Sequence, residues 1–271
     1  LGYNAMTDTT SGQDNTAVGT SALGNNTTAS NNTAVGKSAL TANTTGASNT
    51  AVGRESLSAN TTANQNTAVG MYGLRQTTTG SNNTAMGYAS LITNTTGVGN
   101  VALGHNSLYA NTTANNNTAV GTNAGVSVTE GHTNTLIGSE AGDALTTGDE
   151  NVAVGHGALD GTTTGNANTA VGTDALGKSN YNADYNTAIG YNTLLSATSG
   201  EQNVAVGMQA LDALTTADNN TAVGTGSLGA NTTGTKNTAI GQSALDANTT
   251  ASYNTAVGSD ALGANTTGAD N

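Results

Sequence analysis

Three histidines, His105, His132 and His156, are the side chains best suited to hold a metal or move a proton, and their spacing argues against both roles. His105 and His156 occupy the same place in the repeat described below but lie three coils apart. At the spacing of stacked strands that is roughly 14 Å, beyond the reach of one zinc ion. Asp143, Asp149 and Glu150 are close in sequence, without the Asp-x-Asp-x-Asp-Gly spacing of a calcium loop or the Gly-rich nonapeptide of calcium-binding solenoids. Ser, His and Asp are all present, yet no nucleophile elbow organises them. The expectation is a protein without catalytic residues, cofactor or metal, and not an enzyme.

Two features suit recognition better. The stretch from Gly177 to Tyr185 carries Lys178, Tyr181, Asn182, Asp184 and Tyr185, with two of the chain's eight tyrosines. A surface loop of this composition suits stacking against sugars and hydrogen bonding to them. The bland alternative is a tolerated insertion in a turn. Threonine also recurs in columns, as at Thr27, Thr44, Thr61 and Thr266. Flat Thr arrays on β-solenoids bind ice in several unrelated proteins, but adjacent Thr residues in a strand point to opposite faces. Ice binding is therefore the alternative function, with turn chemistry the simpler explanation.

These residues are positioned by a repeat. An Asn opens each unit, from Asn15 to Asn271, at fourteen intervals of 17 residues and one of 18, the long unit running from Asn168 to Asn186. We call this Asn position 0. Position 2 is Ala except at Leu136, position 3 is aliphatic or Met, and position 4 is Gly throughout. Position 8 is Leu except at Gly125 and Gly142, with Val126 and Val128 placed to refill the space beside the first. Asn15, Ala17, Val18, Gly19 and Leu23 represent these columns, as do Asn168, Ala170, Val171, Gly172 and Leu176. A fixed period this short marks a solenoid, each unit one coil stacked on the last. Seventeen residues cannot hold two helices but can hold two short strands and two bends. The fold class is therefore all-β, a parallel β-solenoid of about sixteen coils, roughly 75 Å long at ~4.8 Å per coil. The Asn column should form an amide ladder. The small residue near position 14, such as Gly46 or Ala63, should mark a sharp turn.

Strand alternation places positions 2 and 4 on the face opposite position 3. With the larger Val turned into the lumen, Ala and Gly face outward in coil after coil. Such small outward residues imply close approach by a second backbone, namely a neighbouring copy.

Composition narrows the class further. The net charge is −12, with only five Lys and Arg, so no phosphate-tracking surface exists and nucleic acid is not an expected partner. Residues 1–129 are neutral, and residues 130–271 carry the whole excess. There is no Cys for a disulfide or thiolate site, and no run of apolar residues long enough to span a membrane. Asn-x-Thr sequons recur, for example at Asn26, Asn43, Asn60, Asn94, Asn111, Asn231, Asn248 and Asn265. No break interrupts the pattern, so residues 1–271 are expected to form one continuous segment, cut from a longer array.

The motif Asn-Thr-Ala-Val-Gly-x-x-Ala-Leu, as in Asn15–Leu23, Asn168–Leu176 and Asn254–Leu262, resembles the head repeats of trimeric autotransporter adhesins. It is also similar to Asn-Thr-Ala-Val-Gly and Asn-Thr-Thr-Gly runs in phage tail-fibre-like proteins. The resemblance spans nearly the whole chain, although the coil is longer than that of adhesin heads. It implies a left-handed β-roll, three copies packed side by side, and an extracellular place on a cell surface or virion fibre. The implied function is a structural and adhesive fibre segment, with itself as partner and surface glycans or a host receptor as ligands.

Overall fold

The computed structural model describes residues 2–177 and 182–271, so Lys178 and Tyr181 of the candidate loop lie outside the described residues. The chain divides into two compact units, Leu1–Thr133 and Asn134–Asn271. The first contains β1 (Thr16–Val18), β2 (Thr33–Val35), β3 (Thr50–Val52), β4 (Thr67–Val69), β5 (Thr84–Met86), β6 (Val101–Leu103) and β7 (Thr118–Val120). Each pairs in parallel with the next, and every residue sits opposite its equivalent one repeat on.

The second unit contains β8 (Thr135–Ile137), β9 (Val152–Val154), β10 (Thr169–Val171), β11 (Thr187–Ile189), β12 (Val204–Val206), β13 (Thr221–Val223), β14 (Thr238–Ile240) and β15 (Thr255–Val257). The same register continues through it. The 18-residue repeat does not disturb the register, for Thr169 still faces Thr187. Each unit is a parallel β-solenoid, as the period predicts.

A coil holds one strand rather than the expected two. β-branched Thr and Val favour the extended backbone on either side of Ala. The strand stops at position 4, where Gly adopts φ between +124° and +140° in every coil. Positions 6, 8 and 16 then take the left-handed conformation, as at Ser38 (φ 57°), Leu40 (φ 49°) and Ser48 (φ 58°). These kinks prevent a second strand but leave the peptide groups directed along the stack, so their hydrogen bonds run from coil to coil. The Leu40 N–H donates to the Ser56 carbonyl at 3.0 Å, and the Thr44 N–H to the Thr61 carbonyl at 3.0 Å.

The lumen is lined by positions 0, 2, 7, 8 and 11, and this overturns the expected orientation of the strand. Ala at position 2 is fully buried from Ala34 to Ala239, and Leu at position 8 lies opposite. Position 3 faces outward: Val18 and Val257 are exposed, and Val171 is half-buried. The physical reason is width. In the coil opening at Asn134, Leu136 replaces Ala and Gly142 replaces Leu; a Cβ on Gly142 would come within 2.8 Å of the Leu136 side chain. The lumen therefore takes at most one large side chain per coil from this pair of walls, and Leu at position 8 takes that room in the ordinary coil. Val128 is buried, as expected from the missing Leu beside it, whereas Val126 is only half-buried.

The close approach that demands Gly at position 4 is also internal. A Cβ on Gly36 would lie 2.4 Å from the Gly53 carbonyl oxygen, in the next coil of the same chain. No second copy is needed to explain that column.

The Asn ladder is present and does more than stack. Asn49 Oδ1 accepts the Asn66 backbone N–H at 3.0 Å, while Asn49 Nδ2 donates to the Ala63 carbonyl at 2.8 Å. Asn60 Nδ2, from position 11, donates to the same carbonyl at 3.1 Å. Two amides thus pin the position-14 carbonyl inside the coil and satisfy buried backbone groups that water cannot reach. Seven of the Asn-x-Thr sequons sit in this inner column: Asn26, Asn43, Asn60, Asn94, Asn111, Asn231 and Asn248 are fully buried, closing those sites in the folded chain.

Candidate functional site

With the lumen filled, function must lie on the outer columns, and three of these are distinct. The first is the strand face. Position 1, mostly Thr, and the aliphatic residue or Met at position 3 point outward on either side of the inward Ala, or of Leu136 in β8. Position 1 is Thr in twelve of the fifteen strands and Val in β6, β9 and β12. Beside it run Val35, Val52, Val69 and Met86 in the first unit, and Val171, Ile189, Val206, Val223 and Ile240 in the second. Met86, Ile189 and Ile240 are about two-fifths exposed.

The second is the edge formed by positions 5, 6 and 9 in the first unit. Arg54 and Arg75 both pair with Glu55, each at 3.1 Å. Both guanidinium groups also lie over the Tyr72 ring, at 5.8 Å and 5.0 Å from its centre. Tyr72 meets Tyr88 edge-on at 5.8 Å, and Tyr88 stacks on His105 at 5.3 Å. These separations are close to the ~4.8 Å rise of a coil, so the solenoid itself builds the ladder of rings. Lys37 is exposed on the same edge.

The third is the same edge in the second unit, where the charges are reversed. Glu140, Asp143, Asp160 and Asp174 come together there, with His156 Nε2 3.7 Å from Glu140 Oε2. Burial, and then the charges of Asp143, Asp174 and Glu140, push the Asp160 carboxyl up to about 6, against the opposing pull of His156. Burial and the Glu140 charge raise Asp143 as well. Asp160 Oδ1 is buried without a hydrogen-bond partner. Among the described residues, no group of three or more His, Asp or Glu could hold a metal ion.

Of the described residues of the loop singled out in sequence, Asn182 and Asp184 are committed to hydrogen bonds between coils. Asp184 Oδ1 accepts the Asn166 backbone N–H at 2.7 Å and the Asn166 side-chain amide at 3.2 Å. Asn182 Oδ1 accepts from the Thr163 hydroxyl and the Thr164 N–H. Of the described loop residues, Tyr185 presents its side chain to solvent, 62% exposed, from a left-handed backbone.

The position-12 threonines are committed too. The hydroxyl of Thr44 donates to the Thr61 carbonyl at 3.1 Å, and that of Thr61 to Thr78 at 3.1 Å. These hydroxyls bond from coil to coil, whereas the bond within the turn is made by the position-11 Asn, as from Asn43 Nδ2 to the Gly46 carbonyl at 2.9 Å. The other two histidines differ in kind: His105 is a stacked ring, and His132 Nδ1 accepts the Asn115 N–H at 2.9 Å.

Both charged edges escaped the sequence reading. Their signal was present in the shared repeat positions of Arg54, Met71, Tyr88 and His105, which only become neighbours once the coils stack. No helix of the described residues is long and apolar enough to cross a membrane. Compared with family models, curated proteins and solved structures, the chain matches none.

Proposed function

We propose that this chain is a structural and adhesive fibre segment whose copies associate side by side, serving attachment at a cell surface or on a virion. The observation that carries this reading is the outward aliphatic column. In each unit every strand turns a Val, Ile, Leu or Met toward solvent, in register with the same residue in the next coil. A continuous apolar stripe on a β-surface is a feature of association surfaces. Because the stripe repeats with every coil, a second copy placed against it would make the same contact along its length. The self-contact therefore moves from the Ala and Gly columns, which are internal, to the Thr and Val face.

Three copies are the expected number, following the resemblance noted above. Light scattering on the native chain in high salt, which screens ion pairs, tests this: a mass of three chains is expected. Val52→Lys combined with Val223→Lys should abolish the three-chain species while the chain stays folded. A native chain that is fully folded as a monomer would overturn the proposal.

A second reading, ice binding, gains one observation in its favour. Thr at position 1 and Val at position 3 form a regular two-column array on one face, which the Thr-Thr pairs at positions 12 and 13 cannot do. Thermal hysteresis by a monomeric chain, abolished by Thr67→Tyr on this face, would replace the fibre reading.

A further inference from the structure

Within residues 1–133, all three basic side chains, Lys37, Arg54 and Arg75, lie on one edge, in three successive coils opened by Asn32, Asn49 and Asn66. Glu55 is the single acid among positions 5, 6 and 9 of these coils, so the run is net positive in a chain of net charge −12. The two arginine side chains are held outward rather than loose. Arg54 and Arg75 are braced by Glu55 and by the Tyr72 ring, yet remain 53% and 45% exposed. A braced arginine loses less freedom on binding, and its fork of donors is largely unused by a single carboxylate contact.

The acidic run, Glu140 and Asp143, then Asp160, then Asp174, also spans three successive coils, opened by Asn134, Asn151 and Asn168. Its carboxylates occupy positions 6 and 9 of the repeat, whereas the cations occupy positions 5 and 9. Both runs rise by the same step of ~4.8 Å per coil. The acidic run is crowded: burial and neighbouring carboxylates raise Asp143 and Asp160 toward the protonated form, and Asp160 Oδ1 lacks a donor.

We infer that the edge carrying Lys37, Arg54 and Arg75 is a docking surface for a second copy of this chain, which presents its Glu140–Asp174 edge. Matched rise and opposite sign let three coils of one copy face three coils of the other, each cation opposite a carboxylate. The contact is separate from the Thr and Val face and does not depend on it.

The test is a charge exchange on the whole chain, followed by sedimentation. Association of the native chain should weaken steeply with added salt, as exposed ion pairs are screened. Arg54→Glu with Arg75→Glu should raise the apparent dissociation constant at least about tenfold, and Glu140→Lys with Asp174→Lys should do the same. Mixing these two variants should restore association, because each then supplies the charge the other has lost. Salt-independent association of the native chain would overturn the inference. So would either variant associating as tightly as native, or a mixture no tighter than its parts while both remain folded by circular dichroism. Retention of the native chain on polygalacturonate, lost in the Arg variant while mass is unchanged, would instead assign this edge to acidic glycans. The Val52→Lys and Val223→Lys changes distinguish the two contacts, since they should remove side-by-side association and leave the salt-sensitive one.

Discussion

The two units are the same coil inside and different molecules outside. Leu1–Thr133 carries four acids against three bases, and Asn134–Asn271 carries thirteen acids against two. Their lumens hardly differ: Asn at position 0, a small residue at position 14 and Gly at position 4 recur in both, with the same contacts. The edge at positions 5, 6 and 9 is basic and aromatic in one and acidic in the other. Inward side chains must meet their own copies one coil away and must satisfy buried amides, so few residues fit. Outward side chains meet solvent on one side, and the stack merely brings them close. Difference between the units therefore accumulates where it can serve recognition.

The strongest way to break this comparison is at the shared glycine. Gly53→Ala and Gly224→Ala place a Cβ within about 2.4 Å of the next coil's carbonyl oxygen, at φ of +139° and +132°. Each should cost about 3 kcal/mol or more by thermal unfolding, equally in the two units. A marked inequality would mean that the two lumens are not equivalent.

The Leu136 and Gly142 exchange sharpens the point. Leu136→Ala alone should lose about 2–4 kcal/mol by emptying that part of the lumen. Adding Gly142→Leu should recover much of this loss, since it rebuilds the ordinary coil, although Leu must then take φ near the 59° of Gly142. A double variant no better than the single would refute the account of one large side chain per coil.

The acidic edge predicts a pH dependence of opposite sign to the usual carboxylate case. Asp160 has its folded pKa raised from 3.8 to about 6 by burial and by Asp143, Asp174 and Glu140, with His156 opposing. The protonated form is favoured in the fold, so stability should increase as pH falls through about 6 and be complete near 3.8. As pH rises again through about 6 this contribution is lost. Solvent screening of the half-exposed edge keeps the effect to about 1 kcal/mol. Asp160→Asn should flatten the profile measured by hydrogen exchange in the surrounding coils, and an unchanged profile would remove Asp160 as its source.

The smallest effect belongs to the basic edge. Arg75→Ala removes one exposed ion pair and one contact with the Tyr72 ring, and should cost only about 0.5–1 kcal/mol. A loss several times larger would show that this edge supports the fold and is not free for recognition.

Much of this was legible without coordinates, for a specific reason. A 17-residue period with fixed Asn, Ala, Gly and Leu admits little besides a stack of identical coils, because each column must pack against itself. The Asn ladder and the parallel register follow from that constraint. The orientation of Thr-Ala-Val did not. Over three residues the alternation of a strand is compatible with either face inward, and hydrophobicity alone prefers Val inside. The single strand per coil was also hidden, since no residue type announces that Leu40 or Leu57 takes a left-handed backbone.

The chain's own order of residues thus determined that it is a solenoid, how long each coil is, and which residues recur at each level. Only the tertiary structure decided what faces inward. Lumen width is set by the bends that close the coil, and it admits Leu from position 8 while leaving room only for Ala at position 2. That same closure turned the valines outward, and the stacking of coils assembled Arg54, Tyr72, Arg75, Tyr88 and His105, scattered over some fifty residues, into one edge.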